Sequence, residues 1–318
     1  MTDFEHLPVL PHETLEMLNI DPDGIYVDGT VGGGGHSSLI ASKLSGKGRL
    51  IALDQDEEAI EAAGERLKEF GNKVTIVRSN FRNIKDVLAG LDIYKVNGIL
   101  LDIGVSSHQL DPAERGFSYM NDGPLDMRMD QRGAISAKDI IRDYSGKDLA
   151  KIFRDYGEER YASSIARAIV KERNVKDIDS TGRLTDIIRG AVPGKARHSG
   201  TNPAMRTFQA LRIEVNGELE ALEESLDIMT DLLAEGGRLA VITFHSLEDR
   251  IVKEKFRTME NPCICPKDFP VCACGRKPKG RCVNRKPVTA GEEEQERNKR
   301  SHSAKLRVFE KRTATEEG

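Results

Sequence analysis

Residues 27–38 read VDGTVGGGGHSS, in which an apolar strand is followed by four glycines and then by the polar start of a helix. Glycines let the backbone approach a ligand closely and adopt positive φ, and a helix N-terminus offers N–H donors to a carboxylate or phosphate. The spacing departs from G-x-G-x-x-G, because Gly32 and Gly34 fit but Ser37 stands at the third position. The turn alone is compatible with a bound ligand and with a tight strand-to-helix connection.

Short apolar runs alternate with amphipathic stretches from this turn onward. Each run ends in a polar residue or glycine and is followed by a helical pattern, as buried parallel strands are in βαβ units. The runs that we predict as strands are IYVDGT (25–30), GRLIALDQD (48–56), KVTIVRSNF (73–81) and NGILLDIGVSS (97–107). The pattern predicts an α/β fold with a doubly wound, mostly parallel sheet.

The alternation breaks after residue 110. Residues 115–200 are charged and carry helical patterns without a strong strand run, and the alternation resumes with a helix over 215–237 and a strand over 238–246. Residues 303–312 alternate in the manner of an edge strand. We therefore expect an all-helical domain inserted into a discontinuous α/β domain, with the insertion at 113–200 and the α/β domain at 1–112 and 201–318.

Length and composition exclude several classes of protein. The chain has 318 residues, of which 38% are hydrophobic and 31% charged, which is enough for two folding units and excludes disorder over the whole chain. No window approaches about 18 consecutive apolar residues, and the N-terminus is acidic and interrupted by prolines rather than basic and apolar. We expect a soluble, cytoplasmic protein that does not bind a membrane.

Asp54 ends the second predicted strand, about twenty residues beyond the glycines. A carboxylate at this position can accept hydrogen bonds from both hydroxyls of a ribose, so the glycine turn and Asp54 together predict an adenosine-type cofactor. The combination does not distinguish NAD from S-adenosylmethionine. Asp56 is a second candidate acceptor, although its place before EEAI favours a role as a helix N-cap.

Two further side chains follow the third and fourth predicted strands, at the edge where open α/β sheets bind ligands. Phe81 would either cover an adenine ring or pack in the core. Asp102 ends an apolar strand, so its carboxylate is expected to be half buried and to need a polar partner. It would accept from the adenine amine or lie near the reacting group.

Basic side chains are concentrated in two segments. The net charge is −4, but residues 115–215 hold 19 basic and 14 acidic side chains, and residues 245–318 hold 18 and 12. Residues 267–286 contain seven Lys or Arg and one acidic residue, and their Pro and Gly content predicts an exposed loop, called the basic loop below. This loop would either neutralise nucleic-acid phosphates or form a solvated surface.

All five cysteines lie between Cys263 and Cys282, which argues against a disulfide framework across the chain. Cys263 with Cys265, and Cys272 with Cys274, form two C-x-C pairs. The pairs would either hold a tetrahedral zinc ion or be loop thiols, and C-x-C is less typical of zinc than C-x-x-C. The spacing by itself therefore assigns no metal site.

Over nearly its whole length the sequence resembles the ribosomal RNA small subunit methyltransferase H family, also called MraW. The matching motifs are HxPVLxxE (6–13), DGTxGxGGHS (28–37), DxDxxA (54–59), DxGVSSxQLD (102–111), RGFSY (115–119), GPLDMRMD (123–130), TNPAMRTFQALRIxVNxEL (201–219), FHSLEDRIVK (244–253) and RSHSAKLRV (300–308). The resemblance implies a seven-stranded methyltransferase sheet and S-adenosylmethionine-dependent N4-methylation of a cytosine in the decoding region of 16S rRNA. It implies 16S rRNA within the small ribosomal subunit as partner and leaves the oligomeric state open.

The resemblance also implies a set of residues that contact S-adenosylmethionine. Carried over by motif position, they are Gly34, Gly35, His36, Asp54, Phe81, Asp102 and Gln109. The helical insertion is implied to lie on the substrate side. Where other amino-methyltransferases carry Asp-Pro-Pro-Tyr, this chain has Asp-Ile-Gly-Val at 102–105, so their catalytic scheme does not transfer directly.

Chemistry indicates what the catalytic residues must do. The lone pair of the cytosine amine is delocalised into the ring, so the enzyme must accept its N–H bonds and align the nitrogen with the methyl carbon. We predict that Asp102 and Ser107, in the oxygen-rich stretch 102–108, orient the amine. The alternative for Ser106 and Ser107 is that they only cap the following turn.

Binding of the RNA backbone requires cations. The basic side chains that we predict to neutralise phosphates are Arg206, Arg212, Lys277, Lys279 and Arg281.

Two other functions stay open at this point. The glycine turn and Asp54 would also serve an NAD-dependent oxidoreductase, and the basic segments would also serve a ribosome-assembly factor that binds RNA without catalysis.

Overall fold

The computed structural model describes residues 8–194, 202–266, 269, 271 and 273–312, apart from the side chains of Ser107 and His108. Within these residues the strands are β1 (Ile25–Asp28), β2 (Arg49–Asp54), β3 (Val74–Arg78), β4 (Val96–Asp102), β5 (Leu233–Thr243), β6 (Gly280–Cys282) and β7 (Lys305–Lys311). They form one sheet with the order β3-β2-β1-β4-β5-β7-β6.

The sheet is parallel except at β7. The pairs β2 with β3, β1 with β2, β1 with β4 and β4 with β5 are parallel, whereas β7 runs antiparallel to β5 and β6. The prediction of a doubly wound, mostly parallel sheet of seven strands is thus confirmed. Because the strand order reverses between β1 and β4, the carboxyl ends of these strands flank the crevice where such sheets bind ligands.

Helices connect the strands. In the described part of the chain they are α1 (Pro11–Leu18), α2 (Gly35–Lys43), α3 (Glu57–Leu67), α4 (Ile84–Gly90), α5 (Ser107–Leu110), α6 (Ala137–Asp143), α7 (Gly146–Asp155), α8 (Ala162–Arg173), α9 (Thr181–Ala191), α10 (Ala204–Asn216), α11 (Glu218–Leu232), α12 (Ser246–Glu260) and α13 (Glu292–Arg297). Among them, none combines the length and the apolar character that crossing a membrane requires.

Both faces of the sheet are covered, which explains the continuous apolar runs in the sequence. Ile51 and Leu53 of β2 are fully buried in a cluster with Leu88 of α4. Leu50 is fully buried in a different cluster with Ile40 of α2. Successive residues of a strand point to opposite faces, so the two clusters lie on the two sides of the sheet. A strand that is buried on both sides reads as apolar at every position.

The chain divides into two compact units, Met1–Gly104 with Leu219–Gly318, and Val105–Glu218. The first unit contains the sheet, and the second is helical around an apolar core of its own. The second unit is wider than the insertion predicted at 113–200. The reason is α10, because Ala204, Phe208 and Leu211 on this helix pack into the core of the second unit.

The single helix predicted over 215–237 is two helices. α10 stops at the C-cap Gly217, whose φ of 59° is left-handed and whose N–H donates to the carbonyl oxygen of Ile213. Glycine adopts this conformation without Cβ strain, and it is the usual residue at such a helix end. α11 then ends at Leu232, so β5 begins ahead of the predicted strand at 238–246.

Part of the predicted basic loop is a strand. β6 pairs with β7, which aligns Gly280 with Lys311 and Arg281 with Glu310. Gly280 lies so close to β7 that a Cβ would be 2.0 Å from the carbonyl oxygen of Glu310. A strand of three residues with a single apolar side chain leaves no periodic pattern, so only its pairing with β7 reveals it.

Replacing Gly280 with alanine is expected to lower the free energy of unfolding by about 1–3 kcal/mol, because the added Cβ forces β6 and β7 apart. Urea denaturation followed by circular dichroism measures the change. Gly90→Ala is the control, because a Cβ at this position of α4 meets nothing within 4 Å. Equal midpoints for the two variants would show that the close approach at Gly280 does not hold the strand pair.

Candidate active site

The glycine turn is held by the carboxylate of Asp28 at the end of β1. Asp28 is 1% exposed. One of its oxygens accepts from the backbone N–H of Thr30 over 3.1 Å, and the other accepts from the Ser37 hydroxyl over 2.7 Å. Burial raises the pKa of Asp28 to about 6, although the Ser37 hydrogen bond opposes the rise. Asp28 was assigned no role from the sequence, and its carboxylate connects the residues on either side of the four glycines.

The turn needs glycine at two positions where φ is positive. Gly32 has a φ of 48° and Gly34 a φ of 77°. Gly34 is the N-cap of α2, so the helix begins directly after it. A Cβ on Gly32 would meet nothing within 4 Å, which means that open space lies beside this part of the turn. The backbone is therefore accessible to a ligand where the sequence predicted such an approach.

Asp54 and the glycine turn are brought together as the sequence analysis predicted. The Gly32 N–H donates to Asp54 Oδ2 over 2.9 Å, and the Asp56 N–H donates to Asp54 Oδ1 over 3.0 Å. Burial raises the pKa of Asp54 to about 6, against the lowering effect of these hydrogen bonds. A carboxylate offers about four lone-pair sites, so Asp54 can still accept from two hydroxyl groups.

Asp56 is the N-cap of α3, and its side chain accepts from the backbone N–H of Glu58 over 3.1 Å. This contact confirms the helix-capping role that its position favoured.

Phe81 lies in a short 3₁₀ helix, residues 81–83, that follows β3. Its ring is half buried against the core cluster that contains Ile51. A Cβ on Gly29 would come within 3.3 Å of the Phe81 Cβ, so Phe81 is next to Gly29, which precedes the four glycines of the turn. The side chain therefore packs in part as core and keeps part of its surface beside the turn.

Asp102 ends β4, and its backbone N–H donates to the Thr30 hydroxyl over 2.6 Å. Its side chain is 21% exposed, and Oδ2 lies 3.7 Å from Nε2 of His36. The other oxygen, Oδ1, is buried and has no hydrogen-bond partner among the described residues. Burial raises the pKa of Asp102 to about 6, Arg300 opposes the rise, and Glu248 adds to it. An acceptor in this state is what a bound N–H group would satisfy.

His36, in the first turn of α2, is neutral at neutral pH. It is 5% exposed, and burial lowers its pKa although Asp28 raises it. The contact between His36 and Asp102 is therefore one between a neutral imidazole and a carboxylate. The imidazole of His36 therefore does not neutralise the negative charge of the Asp102 carboxylate.

The first turn of α12, which follows β5, contributes a buried carboxylate that was not predicted from the sequence. Glu248 is fully buried, and its Oε2 accepts from the backbone N–H groups of Phe244 and His245 over 2.8 and 3.2 Å. His245 caps α12, and its Nε2 is 2.8 Å from Glu248 Oε1. The H-x-x-E spacing at 245–248 is that of a capping box with histidine in place of serine. This spacing was the feature of the sequence that could have predicted the contact between His245 and Glu248. Arg300 stacks over the Phe244 ring at 5.9 Å.

Gln109 and Ser107 belong to the second unit. Gln109 is 4% exposed, and its side-chain oxygen accepts from the Ser106 backbone N–H over 3.0 Å, which caps the start of α5. The capping acceptor at this turn is therefore a glutamine. The side chain of Ser107 lies outside the described part of the chain.

The basic residues predicted to contact RNA differ in what they bind within the protein. Arg212 makes a bidentate pair with Glu218 over 2.8 and 2.9 Å and is only 14% exposed. Arg206 donates to the carbonyl oxygen of Glu158. In the basic loop, Lys279 pairs with Asp227 and Asp231, Arg281 pairs with Glu310, and Lys277 is exposed.

Comparison with known proteins identifies the family. A sequence profile described as the MraW methylase family matches residues 3–312. A protein of Agathobacter rectalis named "Ribosomal RNA small subunit methyltransferase H 2" is 59% identical over 310 residues, which are 97% of this chain and 99% of that protein. Proteins named "Ribosomal RNA small subunit methyltransferase H" are 58% identical in Lachnospira eligens and 57% in Heliobacterium modesticaldum. Each of these matches spans 309 residues and 97% of this chain, with 98% and 99% of the relative covered. Matches of this length and identity establish that the chain belongs to the MraW methylase family.

Proposed function

We propose that this protein transfers a methyl group from S-adenosylmethionine to N4 of a cytosine in 16S rRNA of the small ribosomal subunit. Family membership supports methyl transfer, and the names of the relatives support the ribosomal RNA substrate. The observation that carries the cofactor assignment is the Asp54 carboxylate, bound to the Gly32 N–H and able to accept from two more donors. Membership of a methylase family argues against the nicotinamide alternative.

The first unit has the groups that the cofactor requires. Asp54 would accept from the two ribose hydroxyls, and Phe81 would cover one face of the adenine. Gly34, Gly35 and His36 would lie against the amino-acid end, where the N-terminus of α2 favours a carboxylate. When bound, S-adenosylmethionine would supply an electrophilic methyl group. Gln109 remains a proposed contact, carried over from the family motif.

Asp102 is the proposed catalytic residue. The cytosine amine must lose part of its delocalisation to attack, and an acceptor for its N–H bonds favours that change. The buried, unpartnered Oδ1 of Asp102 has the chemistry for this role, and a pKa of about 6 leaves the group ionised at neutral pH. His36, being neutral, would not compete with the substrate for the charge. Ser107 is proposed as a second group that positions the amine.

The basic residues are proposed to hold the RNA backbone with unequal contributions. Lys277 is exposed, so its side chain is accessible to a phosphate. Lys279, Arg281 and Arg206 would share their present partners with phosphates. Arg212 is already neutralised by Glu218 in a nearly buried pair, so we propose a structural role for it.

Asp54→Asn is expected to weaken binding of S-adenosylhomocysteine by about 10- to 100-fold, because hydrogen bonds to a charged acceptor are lost. Isothermal titration calorimetry measures the dissociation constant. The matched control is Asp92→Asn, because Asp92 is exposed and has a φ of 57°, a conformation that asparagine tolerates. Equal affinities for the wild type and Asp54→Asn would contradict the ribose assignment.

Small subunits that lack the modification provide the test of the reaction. Incubation with labelled S-adenosylmethionine and nucleoside analysis should yield N4-methylcytidine in 16S rRNA, and Asp102→Asn should lower kcat at least about 100-fold. The dissociation constant for S-adenosylhomocysteine should stay close to that of the wild type.

The results of these assays distinguish a methyltransferase from an assembly factor, and a catalytic role of Asp102 from a role in cofactor binding. A wild-type protein that binds the subunits but methylates nothing would identify the assembly-factor alternative. A variant that loses affinity in parallel with rate would make Asp102 a cofactor contact rather than a catalytic residue.

The pH dependence of kcat follows from the raised pKa of Asp102, which is about 6. Because the acceptor must be ionised, kcat at saturating cofactor should rise with pH through about 6 and then level off. The residual rate of Asp102→Asn should lack this step. A flat profile for the wild-type protein over the same range would argue against the ionised carboxylate as acceptor.

A further inference from the structure

Three cysteine sulfurs converge in the segment between α12 and β6. The Sγ atoms of Cys263, Cys265 and Cys274 all lie within 4.8 Å of one another. Cys263 is exposed and the other two are half buried. A backbone N–H, that of Ala273, donates to Cys265 Sγ over 3.3 Å. The chain thus folds back on itself so that three soft ligands and one N–H donor point to one place.

Burial of apolar surface does not account for this arrangement. The large apolar side chains of the segment point into solvent, with Ile264 66% exposed, Phe269 54% and Val271 75%. Ordering a residue costs about 1–2 kcal/mol of backbone entropy, and a segment without a core needs another source of stability. Metal ligation is one such source in small units of this kind.

We propose that Cys263, Cys265 and Cys274 bind a zinc ion. In a tetrahedral zinc site the Zn–S bonds are about 2.3 Å, which places the sulfurs about 3.8 Å apart. The separations of the three sulfurs exceed that spacing by no more than about 1 Å. Thiolates select zinc over hard cations such as magnesium, and the N–H donated to Cys265 is the kind of outer contact that orients a metal ligand.

The charge around the site suits thiolate ligands. Each thiol loses its proton when it binds the metal, so three thiolates and one Zn²⁺ carry a net negative charge. Arg276 and Lys277 lie two and three residues after Cys274 and are exposed, so they can offset that charge. The ion would fix the chain immediately before Lys277, but the site stands on the sulfur geometry and does not depend on the proposed methyl transfer.

A disulfide is the competing explanation for close sulfurs. It joins two sulfur atoms at about 2.05 Å and has no use for a third. Convergence of three sulfurs is instead what a metal requires. Peptide mass mapping of freshly isolated, non-reduced protein distinguishes the two cases.

The test measures metal content in the full-length protein, purified without chelators from cells grown with added zinc. We expect one zinc per chain for the wild type by elemental analysis. The content should fall well below one for Cys263→Ser, Cys265→Ser and Cys274→Ser. Cys272, which lies outside the described residues, stays unchanged in every variant.

Cys282→Ser is the matched control and should retain the zinc. Cys282 lies in β6, where burial raises its pKa to about 11, and it is not part of the sulfur group in the described chain. Loss of zinc in this control equal to that in the other three variants would overturn the assignment.

Cobalt provides a readout that does not depend on how the variants fold. Titration of metal-free wild-type protein with CoCl₂ should produce a sulfur-to-cobalt charge-transfer band, which added ZnCl₂ then abolishes. No band in the wild type, zinc retained when all three cysteines are replaced together, or a native disulfide between any two of them would overturn the proposal. Neither elemental analysis nor the cobalt band responds to loss of methyl transfer, so failure of one proposal is distinguishable from failure of the other.

Discussion

Burial of carboxylates at the carboxyl ends of adjacent parallel strands is the constraint around which the first unit is organised. Asp28, Asp54 and Asp102 end β1, β2 and β4, and burial raises the pKa of each to about 6. The folded chain therefore holds protons that the unfolded chain releases between about pH 4 and 6, so these groups make stability fall as pH rises through that range. The fold tolerates this because backbone N–H groups and hydroxyls of the glycine turn satisfy Asp28 and Asp54. Asp102 is satisfied least, which is why the chemistry is assigned to it.

The glycine turn follows from the same constraint. The backbone N–H groups of the turn reach Asp28 on β1 and Asp54 on β2 only because the backbone turns tightly. Gly32 and Gly34 adopt the positive φ that this turn requires. Open space lies beside Gly32 in this turn, and the Gly32 N–H donates to Asp54. The carboxylate that holds the turn is therefore also the one proposed to accept from a ribose.

The basic residues show why charge counts overstate the surface available to RNA. In the basic loop, Lys279 and Arg281 already pair with the carboxylates of Asp231 and Glu310, and Arg212 of α10 is neutralised by Glu218. Asp231 and Glu310 are far from the loop in the chain, so a count of charges over the loop alone leaves them out. For the cysteines, the sequence understated the evidence. The C-x-C spacing alone is weak evidence for zinc, and the proximity of three sulfurs in the structure strengthens it.

The strands β1, β2 and β4, the glycine turn and the place of Asp54 followed from the amino-acid sequence, because a buried parallel strand is largely apolar and its end is marked by a polar residue. The edge strand β3 is half buried, and its β-branched residues indicated it. The tertiary structure alone decided the rest: the approach of Glu248 and Arg300 to Asp102, the short strand β6, the boundaries of the second unit and the convergence of the cysteines. These features depend on contacts between residues that are distant in the chain. Such contacts produce no periodic pattern of apolar residues, so the sequence alone does not predict them.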